Sequence, residues 1–213
     1  MSKTQQLTPM AIVPDILDAT QTYDSRRLLA LLNRSWSAFG LAATVDDVLM
    51  PSMRLVGRLW ASGESDVSEE HLATVTTQLW LGQVSAAATA PTRIGTVLLA
   101  CGPSDVHTLG LECLAALLIE RGADCRSLGG STPTEAVQIA MRRLRPAAVV
   151  VVSHSPRSRP GALLSIGLVD AQGIDVYYAG GAFATAEDRD GVPGRYLGEH
   201  LGPAADLVVA GLA

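Results

Sequence analysis

The 213-residue sequence lacks the features that mark exported, membrane-embedded or nucleic-acid-binding proteins. Its three cysteines are an odd number that forms neither a disulfide framework nor a metal clip, so we expect reduced thiols in a cytoplasmic protein. The net charge of −5 offers no basic field for nucleic acid, because phosphate affinity depends on clustered Lys and Arg. A charged segment followed by an apolar one does not open the sequence, and no uninterrupted run of about 18 apolar residues occurs, so neither export nor membrane spanning is expected.

Two loop motifs of common enzyme classes are also missing. The first strand of the C-terminal region is not followed by G-x-G-x-x-G, the loop that cradles a dinucleotide. The sequence contains no G-x-S-x-G, the turn that presents the nucleophile of α/β-hydrolases. With 48% hydrophobic residues, the chain is nevertheless able to bury a sizeable core.

The first part of the chain has the pattern of a helical bundle. Polar residues and two prolines predict a loosely held tail at 1–20, and helical periodicity begins near Asp24. A second helix from about Val45 contains Pro51 as a local kink, and Asp66 with Glu69 predicts a capping box for a third. We expect a helical bundle at 21–90, ending in a linker rich in small residues at 86–95.

The second part, 93–213, alternates strand and helix patterns. This order predicts a Rossmann-like (flavodoxin-like) α/β fold, a parallel sheet covered by helices on both faces. The predicted strands are Thr96–Ala100, Asp124–Leu128, Ala147–Val152, Ile174–Ala179 and Asp206–Val209. The predicted helices are Val106–Arg121, Pro133–Leu144, Ala162–Asp170 and a short one near Tyr196–Leu201.

A histidine follows the first predicted strand of this region. The stretch from Cys101 to Gly110 carries Asp105 two residues before His107. Ligands of open parallel sheets bind at the carboxyl ends of the strands, near the point where strand order reverses. A metal-ligating imidazole commonly donates its other ring N–H to a carboxylate. The pair therefore suits an axial metal ligand, although a structural or surface histidine is the ordinary alternative.

Two further predicted strands end in small residues at the same edge. Ser153-His154-Ser155 follows the third strand, and Gly180-Gly181 follows the fourth. Small side chains there would leave a slot beside His107. Each segment taken alone is also ordinary turn chemistry.

Taken jointly, Asp105-x-His107-x-x-Gly110, Ser153 and Gly180-Gly181 resemble the signature of the cobalamin-binding Rossmann-like domain. The resemblance implies that His107 replaces dimethylbenzimidazole as the lower cobalt ligand, with Asp105 as its hydrogen-bond partner. It also implies close backbone approach at Gly110 and a slot for the displaced nucleotide tail, lined by Ser153, Ser155, Gly180 and Gly181. The chain departs from the family at Ser155, where a larger residue is common, and in a slightly short gap before Gly180.

The helical region carries a second resemblance. Trp60, nine residues and then Glu70-His71 are similar to the pattern of light-sensing MerR-type repressors, in which a four-helix bundle caps the upper face of adenosylcobalamin. The resemblance implies that Trp60 packs on the adenosyl group and Glu70 hydrogen-bonds it. His71 would take the upper cobalt position once that group has left. A core tryptophan and polar first-turn residues favoured by the helix dipole are the ordinary alternative.

Together these resemblances imply a photoreceptor or light-dependent regulator, not an enzyme, with adenosylcobalamin as its chromophore. Light would break the cobalt–carbon bond and change cap packing and quaternary structure. About twenty residues precede the first predicted helix, so we expect no DNA-reading domain, no direct nucleic-acid contact and no membrane contact. The expected partners are further copies of the chain, as a light-dependent dimer or tetramer, or a regulatory protein.

Three alternatives remain open from the sequence. The photocobilins combine a similar cobalamin module with a linear tetrapyrrole, so biliverdin is a candidate second chromophore, with Trp36, Trp80 or Tyr23 as candidate contacts. The corrinoid-carrying subunit of a methyltransferase system has the same two-part architecture. A cobalamin storage or antirepressor protein is the third alternative.

Overall fold

The computed structural model describes residues 8–88 and 94–212. The chain divides into two compact units, Met1–Val84 and Ser85–Ala213. The first seven residues of the predicted tail and residues 89–93 of the predicted linker lie outside the described residues.

The N-terminal unit is helical. Its main helices are α1 (Val13–Gln21), α2 (Ser25–Ala43), α3 (Met50–Ser62) and α4 (Val67–Ala87). The prediction of a loose tail up to residue 20 is wrong for residues 9–20, which form a 3₁₀ turn and most of α1. Helical structure forms there because Pro9 and Pro14 stand in first-turn positions, where a missing N–H costs no hydrogen bond. Ile12 and Ile16 of this segment are almost completely buried.

The segment between α2 and α3 departs from a regular helix at a glycine and a proline. Gly40 has φ of +80°, so the helical geometry of α2 breaks at this residue. Residues Thr44–Leu49 form a π-helix that leads into α3, whose second residue is Pro51. The proline is tolerated there because it lies in the first turn of α3.

Helix α4 begins at a capped end. The Asp66 carboxylate accepts the backbone N–H groups of Ser68 and Glu69 at 2.8 and 3.0 Å. In a capping box the Glu69 side chain would accept the backbone N–H of Asp66. Here it accepts the hydroxyl of Ser65, the residue before Asp66. Asp66 also accepts the Tyr23 hydroxyl, which fixes the start of α4 to the end of α1.

One stretch of this unit, Ser25–Ser62, is long and apolar enough by length and composition to cross a membrane. Its side chains Leu28, Leu32 and Val48 are almost completely buried inside the unit, and Gly40 interrupts it. These side chains form the buried face of the helices.

The C-terminal unit is built on a five-stranded parallel sheet with the order β2-β1-β3-β4-β5. The strands are β1 (Gly95–Cys101), β2 (Ala123–Ser127), β3 (Ala148–Val152), β4 (Asp175–Ala179) and β5 (Arg195–Tyr196). The helices are α5 (Leu109–Glu120), α6 (Thr134–Leu144), α7 (Arg159–Asp170), α8 (Ala186–Arg189) and α9 (Leu201–Ala210). The predicted fold class is confirmed, and β3 is buried along its whole length, as expected of a sheet covered on both faces.

The end of the chain differs from the prediction. The fifth strand is Arg195–Tyr196, whereas the predicted strand Asp206–Val209 lies inside α9. A short apolar run fits a strand or a buried helix equally well, and packing decides between them. Ala204, Ala205 and Val208 are buried at helical spacing, and α9 packs against α5.

Strand order places the reversal point of the sheet beside β1. The chain passes from β1 to β2 on one side and then returns to β3 on the other. The loops that follow β1 and β3 therefore flank the crevice where ligands of such sheets bind.

Candidate functional site

The loop after β1 is held in place by backbone hydrogen bonds. Gly102 donates to the carbonyl of Val152, and Asp105 donates to the carbonyl of Gly102 at 3.1 Å. The Asp105 carbonyl accepts the N–H of Ser131 from the loop after β2. These bonds fix the backbone on which the Asp105 and His107 side chains are carried.

The Asp105 carboxylate organises the site. It is buried, and Oδ1 accepts both the backbone N–H and the ring Nδ1–H of His107 at 3.0 Å each. Oδ2 accepts the backbone N–H of His154 at 2.5 Å, the ring Nδ1–H of His154 at 3.3 Å and the Ser158 hydroxyl at 3.3 Å. Oδ1 thus accepts donors from the loop after β1, and Oδ2 accepts donors from the loop after β3.

These hydrogen bonds determine the charge of Asp105. Burial would raise the pKa of its carboxyl, but the N–H groups of His107 and His154 favour the ionised form and leave the pKa below its ordinary value. The site therefore contains a carboxylate anion that accepts from both imidazoles.

The His107 ring combines one fixed nitrogen with one available nitrogen. Its Nδ1 is engaged by Asp105, while the side chain is 70% exposed. This arrangement places the proton on Nδ1 and leaves the lone pair of Nε2 for another ligand. The chemistry fits a nitrogen ligand to a metal.

His154 is the residue of this site that the sequence analysis did not select. Its ring lies 5.5 Å from the His107 ring between centroids and is tilted by 52°. Burial lowers the pKa of His154 despite the opposing effect of Asp105, so the ring favours its neutral form. The sequence feature that could have identified His154 is its position two residues after β3, at the same sheet edge as His107.

The serines of the β3 loop form a chain of hydroxyls. Ser158 lies 2.9 Å from the Ser153 hydroxyl and 3.0 Å from that of Ser155, and it donates to Asp105. Ser153 is completely buried, so its side chain does not line an open slot in this structure and instead supports the loop. Ser155 is partly exposed.

Two of the three predicted site glycines, Gly180 and Gly181, are required by close backbone contacts. A Cβ on Gly180, whose φ is +103°, would lie 2.1 Å from the Ser153 carbonyl oxygen, and one on Gly181 would lie 2.8 Å from that of His154. Both residues therefore pack the end of β4 against the end of β3. A Cβ on Gly110 would lie 3.9 Å from Nε2 of His154, which is ordinary contact.

The three site residues predicted in the helical unit lie at its surface. Trp60 is 50% exposed near the end of α3. In α4, His71 Nδ1 lies 3.0 Å from a Glu70 carboxylate oxygen and 2.8 Å from the Val67 carbonyl, and its side chain is 72% exposed. The other Glu70 oxygen accepts the Thr74 hydroxyl.

One of the three aromatic residues considered for a bilin contact is excluded by burial. Trp80 is fully buried, donates to Asn33 at 3.0 Å and meets Trp36 edge-on at 6.3 Å between ring centroids. Trp36 is partly buried and Tyr23 is 48% exposed.

The chain is similar to a protein family, to two curated proteins and to solved structures. Residues 13–84 match the model of the B12 binding domain family. Over 171 residues the chain is 32% identical to the HTH-type transcriptional repressor CarH of Myxococcus xanthus, covering 78% of this chain and 56% of CarH. It is 33% identical over 122 residues to CarA of the same organism, covering 57% of this chain and 40% of CarA. The chain thus spans about half the length of the curated relatives it matches.

Solved structures share the fold. A monomethylamine corrinoid protein of Methanosarcina barkeri has a TM-score of 0.75 at 14% identity, covering 95% of this chain and 99% of that one. The methanol:cobalamin methyltransferase complex MtaBC of the same organism has a TM-score of 0.50 at 21% identity, covering 94% of this chain and 80% of that one. The chain is therefore similar to the repressors CarH and CarA, matches the B12 binding domain family over residues 13–84, and shares its fold with solved corrinoid proteins.

Proposed function

We propose that the chain is a cobalamin-binding, light-dependent regulator in which His107 is the lower cobalt ligand. The observation that carries the proposal is the paired hydrogen bonding of Asp105 to His107, which leaves Nε2 of an exposed imidazole free to bind. Asp105 would fix the tautomer and raise the basicity of that nitrogen. The match to the B12 binding domain family supports a corrinoid as the metal group.

The residues of the C-terminal unit fit such a group. The exposed His107 ring supplies an imidazole nitrogen, a donor that suits cobalt. Ser158, Ser153 and Ser155 connect the carboxylate to the β3 loop, so the ligand and its hydrogen-bond partners are held by two adjacent strands. Ser155, Gly180 and Gly181 are proposed to border the nucleotide tail, and Gly110 is proposed to allow close backbone approach.

Adenosylcobalamin bound there would supply a cobalt–carbon bond that visible light breaks. In this proposal Trp60 packs on the adenosyl group, Glu70 hydrogen-bonds it, and His71 is the upper nitrogen ligand of the illuminated form. A ligand shifts a conformational equilibrium only when its affinity differs between the two states. Here the adenosyl contacts of Trp60 and Glu70 exist in the dark form alone.

In this proposal, loss of the adenosyl contacts changes the surface that the helical unit offers to other proteins. We propose that this surface binds further copies of the chain, as a dimer or tetramer, or a regulatory protein. The curated relatives are named HTH-type transcriptional repressors, so they give no support to the expectation that nucleic acid is not contacted.

The test is reconstitution with adenosylcobalamin in darkness, followed by illumination. We expect a change of absorption spectrum together with a change of oligomer size by light scattering, and Trp60→Ala should remove the second change. Binding without any spectral response to light would contradict the sensor function and leave only a corrinoid-binding one.

The corrinoid carrier of a methyltransferase system is the second candidate. The fold shared with corrinoid proteins favours it, whereas the large side chain of Trp60 favours a sensor, because a methyl group must enter and leave above the corrin. Retention of adenosylcobalamin over methylcobalamin supports the sensor, and the reverse preference supports the carrier. A biliverdin spectrum that shifts on mixing with the protein would add a second chromophore.

A further inference from the structure

We propose that Asp105, His107 and His154 form a binding site for a divalent transition-metal ion, such as Zn²⁺, in the corrinoid-free chain. This site is additional to the cobalamin site and does not require the proposed function to be correct. It uses Nδ1 of His107, the ring nitrogen that points toward the Asp105 carboxylate, whereas cobalt would bind Nε2.

The donor atoms lie close enough together for one ion to bind all three once the rings turn slightly, since each Nδ1 now faces a carboxylate oxygen. One ligand atom from each of the three residues lies within 4.8 Å of the other two. The separations are 3.0 Å from His107 Nδ1 to Asp105 Oδ1 and 3.3 Å from His154 Nδ1 to Asp105 Oδ2. Two donors bound at about 2.1 Å to one Zn²⁺ lie about 3.0–3.4 Å apart for angles between about 90 and 110°.

The chemistry of the donor set suits this class of ion. Two imidazoles and one carboxylate are preferred ligands of Zn²⁺ and its neighbours in the transition series. Three further hydrogen bonds orient the carboxylate, from the backbone N–H groups of His107 and His154 and from the Ser158 hydroxyl. Outer contacts of this kind are a regular feature of metal sites.

The site is also reachable from solvent. Asp105 lies at the bottom with its side chain 1% exposed, while the side chains of His107 and His154 are 70% and 31% exposed. An ion entering along the two rings would complete its coordination with water, as open zinc sites do.

Metal binding at this position excludes cobalt ligation by His107. In the metal-free chain each Nδ1 carries a proton that is donated to Asp105. An ion bound at Nδ1 displaces that proton, which moves to Nε2 so that the imidazole stays neutral. Nε2 then has no lone pair for cobalt, so the two uses of His107 are mutually exclusive.

The experiment uses the full chain without an affinity tag and Co²⁺ alone as a visible probe, with Zn²⁺ as competitor. We expect one ion per chain by equilibrium dialysis, with visible absorption bands that Zn²⁺ removes. His154→Ala should weaken binding by more than about 100-fold, the upper end of what loss of an outer contact costs. His200→Ala is the matched control, because His200 is an exposed imidazole outside this cluster and should leave binding unchanged.

A second variant separates metal binding from folding. His154→Asn keeps a side-chain N–H for Asp105 but removes the metal-binding nitrogen, so it should fold normally and still lose Co²⁺. The proposal is overturned if the wild-type chain shows no saturable binding, or if both His154 variants bind as the wild type does. Cobalamin uptake is measured separately and should survive in His154→Asn, so its failure in the wild-type chain would count against the proposed function alone.

Discussion

Asp105 and His107 stand two residues apart, and one carboxylate oxygen of the first accepts both the backbone N–H and the ring Nδ1–H of the second at 3.0 Å. The backbone bond closes a local turn, and the ring bond sets the tautomer. A single carboxylate therefore shapes the loop and prepares Nε2 as a ligand.

This relationship predicts different outcomes for changes at the two positions. His107→Ala should remove nitrogen coordination from the lower cobalt face with little effect on folding, because its side chain is exposed. Asp105→Asn should reduce both the nitrogen coordination of cobalt and the free energy of unfolding. The amide NH₂ would face the N–H donors that now bind the carboxylate. The hydrogen bonds lost to this charged acceptor are worth about 1.5–3 kcal/mol each. Electron paramagnetic resonance of the Co(II) form detects the nitrogen, and urea unfolding gives the stability. Unchanged nitrogen coupling in His107→Ala would exclude it as the ligand.

Gly180 is predicted to be irreplaceable for a reason of backbone packing. Gly180→Ala would bring a methyl group to 2.1 Å from the Ser153 carbonyl oxygen at a φ of +103°. Gly173→Ala is the matched control, because Gly173 also has a positive φ, +68°, but has open space around it. We expect the control to lose about 1–2 kcal/mol in urea unfolding and Gly180→Ala to lose clearly more. Equal losses would show that φ alone matters.

Substitution of Trp80 and of Trp60 should have different effects on stability and on retention of the cofactor. Trp80 is fully buried and hydrogen-bonded to Asn33, so Trp80→Ala should cost about 3–5 kcal/mol of unfolding free energy. Trp60 is 50% exposed, so Trp60→Ala should change stability by less than about 1 kcal/mol. Under the proposed function it should nevertheless release adenosylcobalamin faster in dialysis. A large stability loss in Trp60→Ala would assign that side chain to the core.

The patterns that predicted the structure correctly were those with a physical signal in adjacent residues. The alternation of strand and helix patterns predicted the first four strands, and the Asp105–His107 spacing predicted their hydrogen bond. The residues 206–209 were misassigned because a short apolar run has no periodicity that separates strand from helix. Packing of α9 on α5 decided the outcome, and that contact joins segments far apart in the sequence.

The candidate site was predicted less completely than the fold. His154 and Ser158 reach Asp105 only because β3 lies beside β1, which strand order determines and local pattern does not. Gly180 and Gly181 were selected as small residues that border a slot, which stays a prediction, whereas the structure shows that both pack closely on the β3 loop. Burial of the Ser153 side chain likewise depends on a partner five residues away, Ser158.

The buried thiol of Cys101 predicts how stability changes in alkali. Burial, reinforced by Asp105 and Glu112, raises its pKa from 9.0 to about 12. Between these values the unfolded chain loses the thiol proton while the folded chain keeps it, so the free energy of unfolding falls as pH rises from about 9 to about 12.

One such group contributes a slope of about 1.4 kcal/mol per pH unit within this window. Cys101→Ala should flatten the decline by up to that amount in urea unfolding measured at successive pH values. The comparison uses slopes, because loss of the sulfur atom lowers stability at every pH. Cys125, Tyr177 and Tyr178 also have raised pKa values and remain in both proteins, so their contribution cancels. Parallel declines in the two proteins would mean that the Cys101 thiol ionises in the folded chain as readily as in the unfolded one.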